Sequence, residues 1–141
     1  MTAYVDASVA VSLFIDDIHS HRADAWLARQ DDQLVLSAWT VAEFSSALAF
    51  RRRMGTLDPQ DCFAAEAAFD GWISSDQVRH VDVGAGDFAA ARQLMRFDTV
   101  ALRAADALHL AVAMRLGAAM ATLDGPLKSA VGAVGLALES I

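Results

Sequence analysis

The sequence alternates short runs of β-strand character with longer segments of helical spacing, and this alternation limits the fold more than any other feature. The β-like runs fall at residues 3–6, 33–37, 77–83 and 118–123, with a last one at 136–138. Helical patterns fill the gaps at 8–14, 17–29, 40–54, 59–73, 86–95 and 102–116, and a short helix precedes the last strand. Ser8 is placed to cap the first helix, Asp58-Pro59 opens the fourth, and Gly55 and Gly117 stand where helices stop. Asp124-Gly125-Pro126 is a turn signal. Strands that alternate with helices of ten or more residues build a mostly parallel sheet covered on both faces, a three-layer α/β/α sandwich. Ligands of such sheets bind at the carboxyl ends of the strands.

Composition narrows the class. A chain of 141 residues implies one domain spanning residues 1–141. With 55% hydrophobic residues it can bury a core, and with 2 Pro and 8 Gly it is neither linker-like nor collagen-like. The longest stretch free of Asp, Glu, Lys and Arg is ten residues, short of the roughly 20 a membrane helix requires. The N-terminus shows no basic segment followed by an apolar one, so the expected compartment is the cytoplasm. Cys62 is the single cysteine, which excludes an internal disulfide and a Cys-based zinc site. The net charge of −7 argues against a simple nucleic-acid coat protein. An acidic chain still handles phosphates when metal ions supply positive charge, so the question becomes which carboxylates hold a metal.

Four acids answer to that description. Asp6 ends the first strand, Asp124 ends the strand after Gly117, and Glu43 falls in the first turn of the helix after the second strand. These three belong on one edge of a parallel sheet. Asp106, early in its helix, joins them on weaker grounds, although its face also carries His109, Leu110 and Ala113 and reads as buried or cleft-lining. Each acid has an ordinary reading. Thr40 to Glu43 matches a capping box, Asp106 suits a helix dipole, and Asp124 suits a turn. Asp6 resists one, because it follows Tyr4-Val5 where a core strand should continue. Carboxylates pushed together repel one another unless a cation joins them. Their hard oxygens suit Mg2+ or Mn2+.

Four segments, Tyr4-Val5-Asp6-Ala7-Ser8, Thr40-Val41-Ala42-Glu43-Phe44, Ala105-Asp106-Ala107-Leu108-His109-Leu110-Ala111 and Ala121-Thr122-Leu123-Asp124, occur in the order seen in the PIN-domain family. Over essentially its whole length the chain most resembles the VapC-type ribonuclease toxins of toxin–antitoxin pairs. The resemblance implies a Mg2+-dependent endoribonuclease with Asp6, Glu43, Asp106 and Asp124 as its acidic set. Asp6 and Asp106 would be the direct metal ligands. Glu43 would bind the metal or orient the attacking water, and Asp124 would act through water. Ser8 and Thr122 match positions whose hydroxyls lie beside the metal. The resemblance also implies a homodimer, an RNA substrate and an antitoxin protein that covers the cleft.

Other residues have more ordinary roles. His109 reads as a packed or hydrogen-bonded helix residue, since the acids already suffice. Arg51-Arg52-Arg53 either steers RNA phosphates or complements a helix C-terminus. Arg92, Arg96 and Arg103 are weaker RNA candidates. Two further functions compete with a ribonuclease. A phosphohydrolase or phospho-acceptor domain would use Asp6 as nucleophile, but Ser8 stands where haloacid-dehalogenase-like enzymes want a second Asp, and Lys128, the only lysine, follows the wrong turn for a receiver domain. A non-catalytic module would bind RNA or a protein without carboxylate-dependent metal binding.

Overall fold

The computed structural model describes residues 1–96 and 101–141. Four strands, β1 (Thr2–Val5), β2 (Gln33–Ser37), β3 (Val78–Val81) and β4 (Ala119–Ala121), form one sheet in the order β3-β2-β1-β4, and every pairing is parallel. Tyr4 faces Val35 on one side and Met120 on the other. Among the described residues seven helices accompany the sheet: α1 (Ala7–Phe14), α2 (Ser20–Ala28), α3 (Ala38–Arg53), α4 (Pro59–Ile73), α5 (Ala85–Arg96), α6 (Ala104–Leu116) and α7 (Gly125–Ala133).

Side-chain alternation along the strands divides the core into two faces. Ala3, Val5, Leu34 and Leu36 pack toward α1, α3 and α4, where Phe44 and Phe69 stack with ring centroids 3.9 Å apart. Tyr4, Val35 and Met120 point the other way, against Leu110, Val112 and Leu127 of α6 and α7. The result is the expected three-layer α/β/α sandwich. Strand order first steps outward from β1 through β2 to β3, then returns to the far side of β1. The direction reverses between β1 and β4, and in open parallel sheets that reversal opens a crevice at the carboxyl ends of the strands.

Several local expectations require correction. The first helix is capped by Asp6, whose carboxylate accepts from the Val9 N–H, and not by Ser8, which donates to Asp6 instead. α3 starts two residues before Thr40 because Ser37 caps it, so no Thr40–Glu43 capping box forms and Glu43 lies in the second turn. α2 begins at Ser20 and not at Asp17, whose carboxylate takes the His19 N–H, the Ser12 hydroxyl and Arg51. The expected strand at 136–138 is reduced to a single bridge between Met120 and Leu138. Asp124-Gly125-Pro126 is more than a turn, because the Asp124 side chain caps α7 through the Leu127 N–H. Gly117 ends α6 as expected, in the left-handed conformation with φ 60°.

Candidate active site

Asp6 follows β1 directly. Its backbone N–H continues the ladder to the Ala121 carbonyl at 3.1 Å while its side chain starts α1. The residue is 3% exposed. Oδ1 accepts from the Ser8 hydroxyl at 2.6 Å and the Val9 N–H at 3.1 Å, and Oδ2 accepts from the Thr122 hydroxyl at 2.5 Å. Ser8 Oγ in turn accepts from the Leu123 N–H, and Thr122 Oγ1 from the Asp124 N–H. These bonds lace the ends of β1 and β4 together. Burial pushes the Asp6 carboxyl above the usual carboxylate range, against the pull of Ser8 and Thr122.

The other three acids reach the same crevice from different elements. Asp106 sits in the first turn of α6 and Asp124 caps α7. Glu43 rises from α3, where His109 Nε2 hydrogen-bonds its Oε2. Asp6, Glu43, Asp106, Asp124 and His109 all line one cleft of about 730 Å³, whose mouth carries Phe50, Arg51 and Arg53 of α3. The edge expected for Asp6, Glu43 and Asp124 therefore also receives Asp106. Ser8 borders the cleft, while Thr122 is fully buried behind Asp6.

Asp106 carries the clearest electrostatic imbalance. Burial and then the neighbouring Asp124 charge push its carboxyl above the usual range, while Arg103 opposes them. Its Oδ2 is buried without a hydrogen-bond partner, and Arg103 approaches it only to 4.0 Å. A buried carboxylate oxygen without a donor is costly and calls for an explanation. A divalent cation supplies one, because it satisfies the oxygen and relieves the repulsion from Asp124 together. Among the described residues no three His, Cys, Asp or Glu side chains form a ready-made metal cage. Magnesium does not need one, since it keeps several waters and takes one or two carboxylates. Asp6 and Asp106 suit it by the hardness of their oxygens.

Of the arginine run, Arg51 pairs with Asp17 at 3.4 Å, while Arg52 and Arg53 are exposed and form no ion pair among the described residues. Cys62 is buried, as a small apolar residue would be. His109 is 2% exposed and hydrogen-bonded at both ring nitrogens, to Glu43 and to the Tyr4 hydroxyl. Sequence reasoning gave His109 the right environment but missed both partners. Its i+3 spacing from Asp106 puts both on one face of α6 but points to neither partner.

Residues 3–131 match the PIN domain family model. No curated protein matches the chain. Among solved structures it is similar to VapC20 of Mycobacterium tuberculosis, described as a sarcin-ricin loop cleaving toxin, at 24% identity with TM-score 0.74, covering 91% of this chain and 94% of that one. VapBC2 of Rickettsia felis, bound to a DNA fragment from its promoter, is similar at 15% identity with TM-score 0.70, covering 99% and 98%. A toxin–antitoxin complex of Klebsiella pneumoniae is similar at 16% identity with TM-score 0.62, covering 86% of each chain. These likenesses bear on the fold, and the family model covers nearly the whole chain: the protein belongs to the PIN-domain family.

Proposed function

We propose that this chain is a Mg2+-dependent (or Mn2+-dependent) endoribonuclease and the toxin of a toxin–antitoxin pair. The observation that carries this reading is the convergence of Asp6, Glu43, Asp106 and Asp124 on one cleft at the switch point of the sheet, in a chain of the PIN-domain family. Asp6 and Asp106 hold the metal, with Glu43 and Asp124 beside it. When bound, the ion activates water and offsets charge on the phosphodiester and the leaving oxygen. The chain's own residues do the rest. Ser8, Thr122 and the Val9 N–H hold Asp6 in one orientation. Glu43 and Asp124 orient the attacking water and accept its hydrogen bonds. Arg53 at the mouth draws the RNA backbone toward an otherwise acidic cleft.

The neighbours named as toxins or toxin–antitoxin complexes support an antitoxin partner for this chain. The reading also includes a homodimer, as the resemblance to VapC-type toxins implies. No helix among the described residues is long and apolar enough to cross a membrane. The reading places the protein in the cytoplasm, with its RNA. The test is cleavage of total RNA by wild type and Asp6→Asn in Mg2+ and in EDTA. Wild type cuts in Mg2+ alone, and Asp6→Asn folds but does not cut. Cleavage by Asp6→Asn at the wild-type rate would overturn the proposal.

A further inference from the structure

A chain of buried hydrogen bonds runs from the middle of the sheet to the acidic cleft. Tyr4 Oη lies 2.7 Å from Ser37 Oγ and 2.8 Å from His109 Nδ1, and His109 Nε2 contacts Glu43 Oε2. Tyr4 and Ser37 are 0% exposed and His109 is 2% exposed. Tyr4, Ser37 and His109 are withdrawn from bulk water, so each of their donors needs its own acceptor, while Glu43 opens to the cleft.

For a neutral His109 ring, one order of donors satisfies the contacts. The Glu43 oxygen accepts, so the ring proton sits on Nε2 and Nδ1 offers a lone pair. The Tyr4 hydroxyl then donates to Nδ1. Ser37 donates to Tyr4 and accepts the Thr40 N–H at 3.3 Å. The Thr40 hydroxyl donates to the Val5 carbonyl at 3.1 Å, and at 3.3 Å from Tyr4 Oη it is a more distant acceptor for the phenol than His109 Nδ1 at 2.8 Å. Burial pushes the Tyr4 phenol up to about 12, so Tyr4 remains a donor at neutral pH. Glu43 Oε1 has no protein hydrogen bond among the described residues.

We infer that His109, seated on Tyr4, is a positioning residue that fixes the Glu43 carboxylate in one orientation and leaves its second oxygen for a ligand of the cleft. The inference deepens the ribonuclease reading and rests on it for its link to catalysis. Its structural half stands apart. The partners are set by the fold: β1 supplies Tyr4, α6 supplies His109 three residues after Asp106, and α3 supplies Glu43. A shift of α6 relative to α3 would therefore turn Glu43 away.

The test combines one spectrum with one double-mutant cycle. In the metal-free protein, ring 15N signals of His109 show the proton on Nε2 and a lone pair on Nδ1. A proton on Nδ1 in place of Nε2 overturns the inference. In the cycle, His109→Leu lowers kcat about 10–100-fold, the usual span for a residue that orients a ligand group, while KM for RNA changes little. In the Glu43→Gln background the same change costs nothing more, because the residue it positions is already disabled. His109→Gln, which can still donate to Glu43, recovers part of the loss. Equal losses in both backgrounds mean that His109 only supports the fold, and they overturn the inference. If His109→Leu fails to fold, Tyr4→Phe, which fills the same space, takes its place in the cycle. If wild type cuts no RNA, the ribonuclease reading falls and the ring spectrum still decides the hydrogen-bond order.

Discussion

Replacing Asp6 by Asn should disable the cleft and stabilise the metal-free protein. Asp6 is 3% exposed, and its carboxyl is pushed above the usual range by burial. Holding a charge there costs several kcal/mol after relaxation. Three donors offset much of that cost, each worth about 1 kcal/mol more to a charged acceptor than to a neutral one. Asn keeps the shape and two of the three bonds, because its Oδ1 still accepts from Ser8 and Val9. Its amide nitrogen faces Thr122 Oγ1, which must turn its proton toward Ser8 Oγ at 3.4 Å, losing about 1 kcal/mol. The balance favours Asn by about 1 kcal/mol, equivalent to a rise of roughly 3–5 °C in Tm for a domain of this size. Thermal unfolding in EDTA at neutral pH measures it. Added Mg2+ should raise the Tm of wild type and leave Asp6→Asn unmoved. If Asp6→Asn melts several degrees below wild type in EDTA, the charge is not under strain, and the argument from desolvation is wrong.

Further outcomes follow from other parts of the fold. Arg115 holds Asp87 at 2.7 and 3.1 Å and ties α5 to α6, and the Asp87 side chain is 4% exposed. Burial works to raise its carboxyl, but the Arg115 hydrogen bonds, the Gly84 N–H and the Arg115 charge hold it below the usual range. A depressed folded pKa contributes stability above the unfolded value near 3.9 and loses it as pH falls through the folded value. Asp87→Asn should therefore cost about 1–3 kcal/mol in chemical denaturation at pH 7, with the gap to wild type closing below about pH 4. Gly117→Ala meets no atom within 4 Å, so its cost is the left-handed backbone alone, about 1 kcal/mol by denaturation midpoint. Phe69→Ala removes a fully buried ring stacked on Phe44 and should cost about 3–5 kcal/mol, enough to threaten folding at 37 °C.

Much of the architecture was legible because it is local. β1, β2 and β4 are short, mostly apolar runs, and β2 and the helix opened by Asp58-Pro59 fall where the pattern puts them. Helix starts were harder. Ser8 and Thr40 are good caps, but Asp6 and Ser37 come earlier, where the chain leaves its strand, and they take the free N–H groups first. Asp17 lost its place in a helix to the neighbouring His19 N–H and to two donors from other segments, Ser12 and Arg51. The four acids could be read onto one edge from strand ends and helix starts. The link between His109 and Glu43 spans 66 residues, and no periodicity in either helix encodes it. The buried orphan oxygen of Asp106 is equally a product of tertiary packing.

The first strand of the sheet pairs with the fourth, and the hydroxyl that grips Asp6 comes from Thr122, 116 positions downstream. A half-made chain emerging from a ribosome carries Asp6 and Glu43 but has no wall opposite them. If the finished cleft cuts RNA, that capacity arrives only when β4 docks, so the growing polypeptide is harmless to the messenger still being translated.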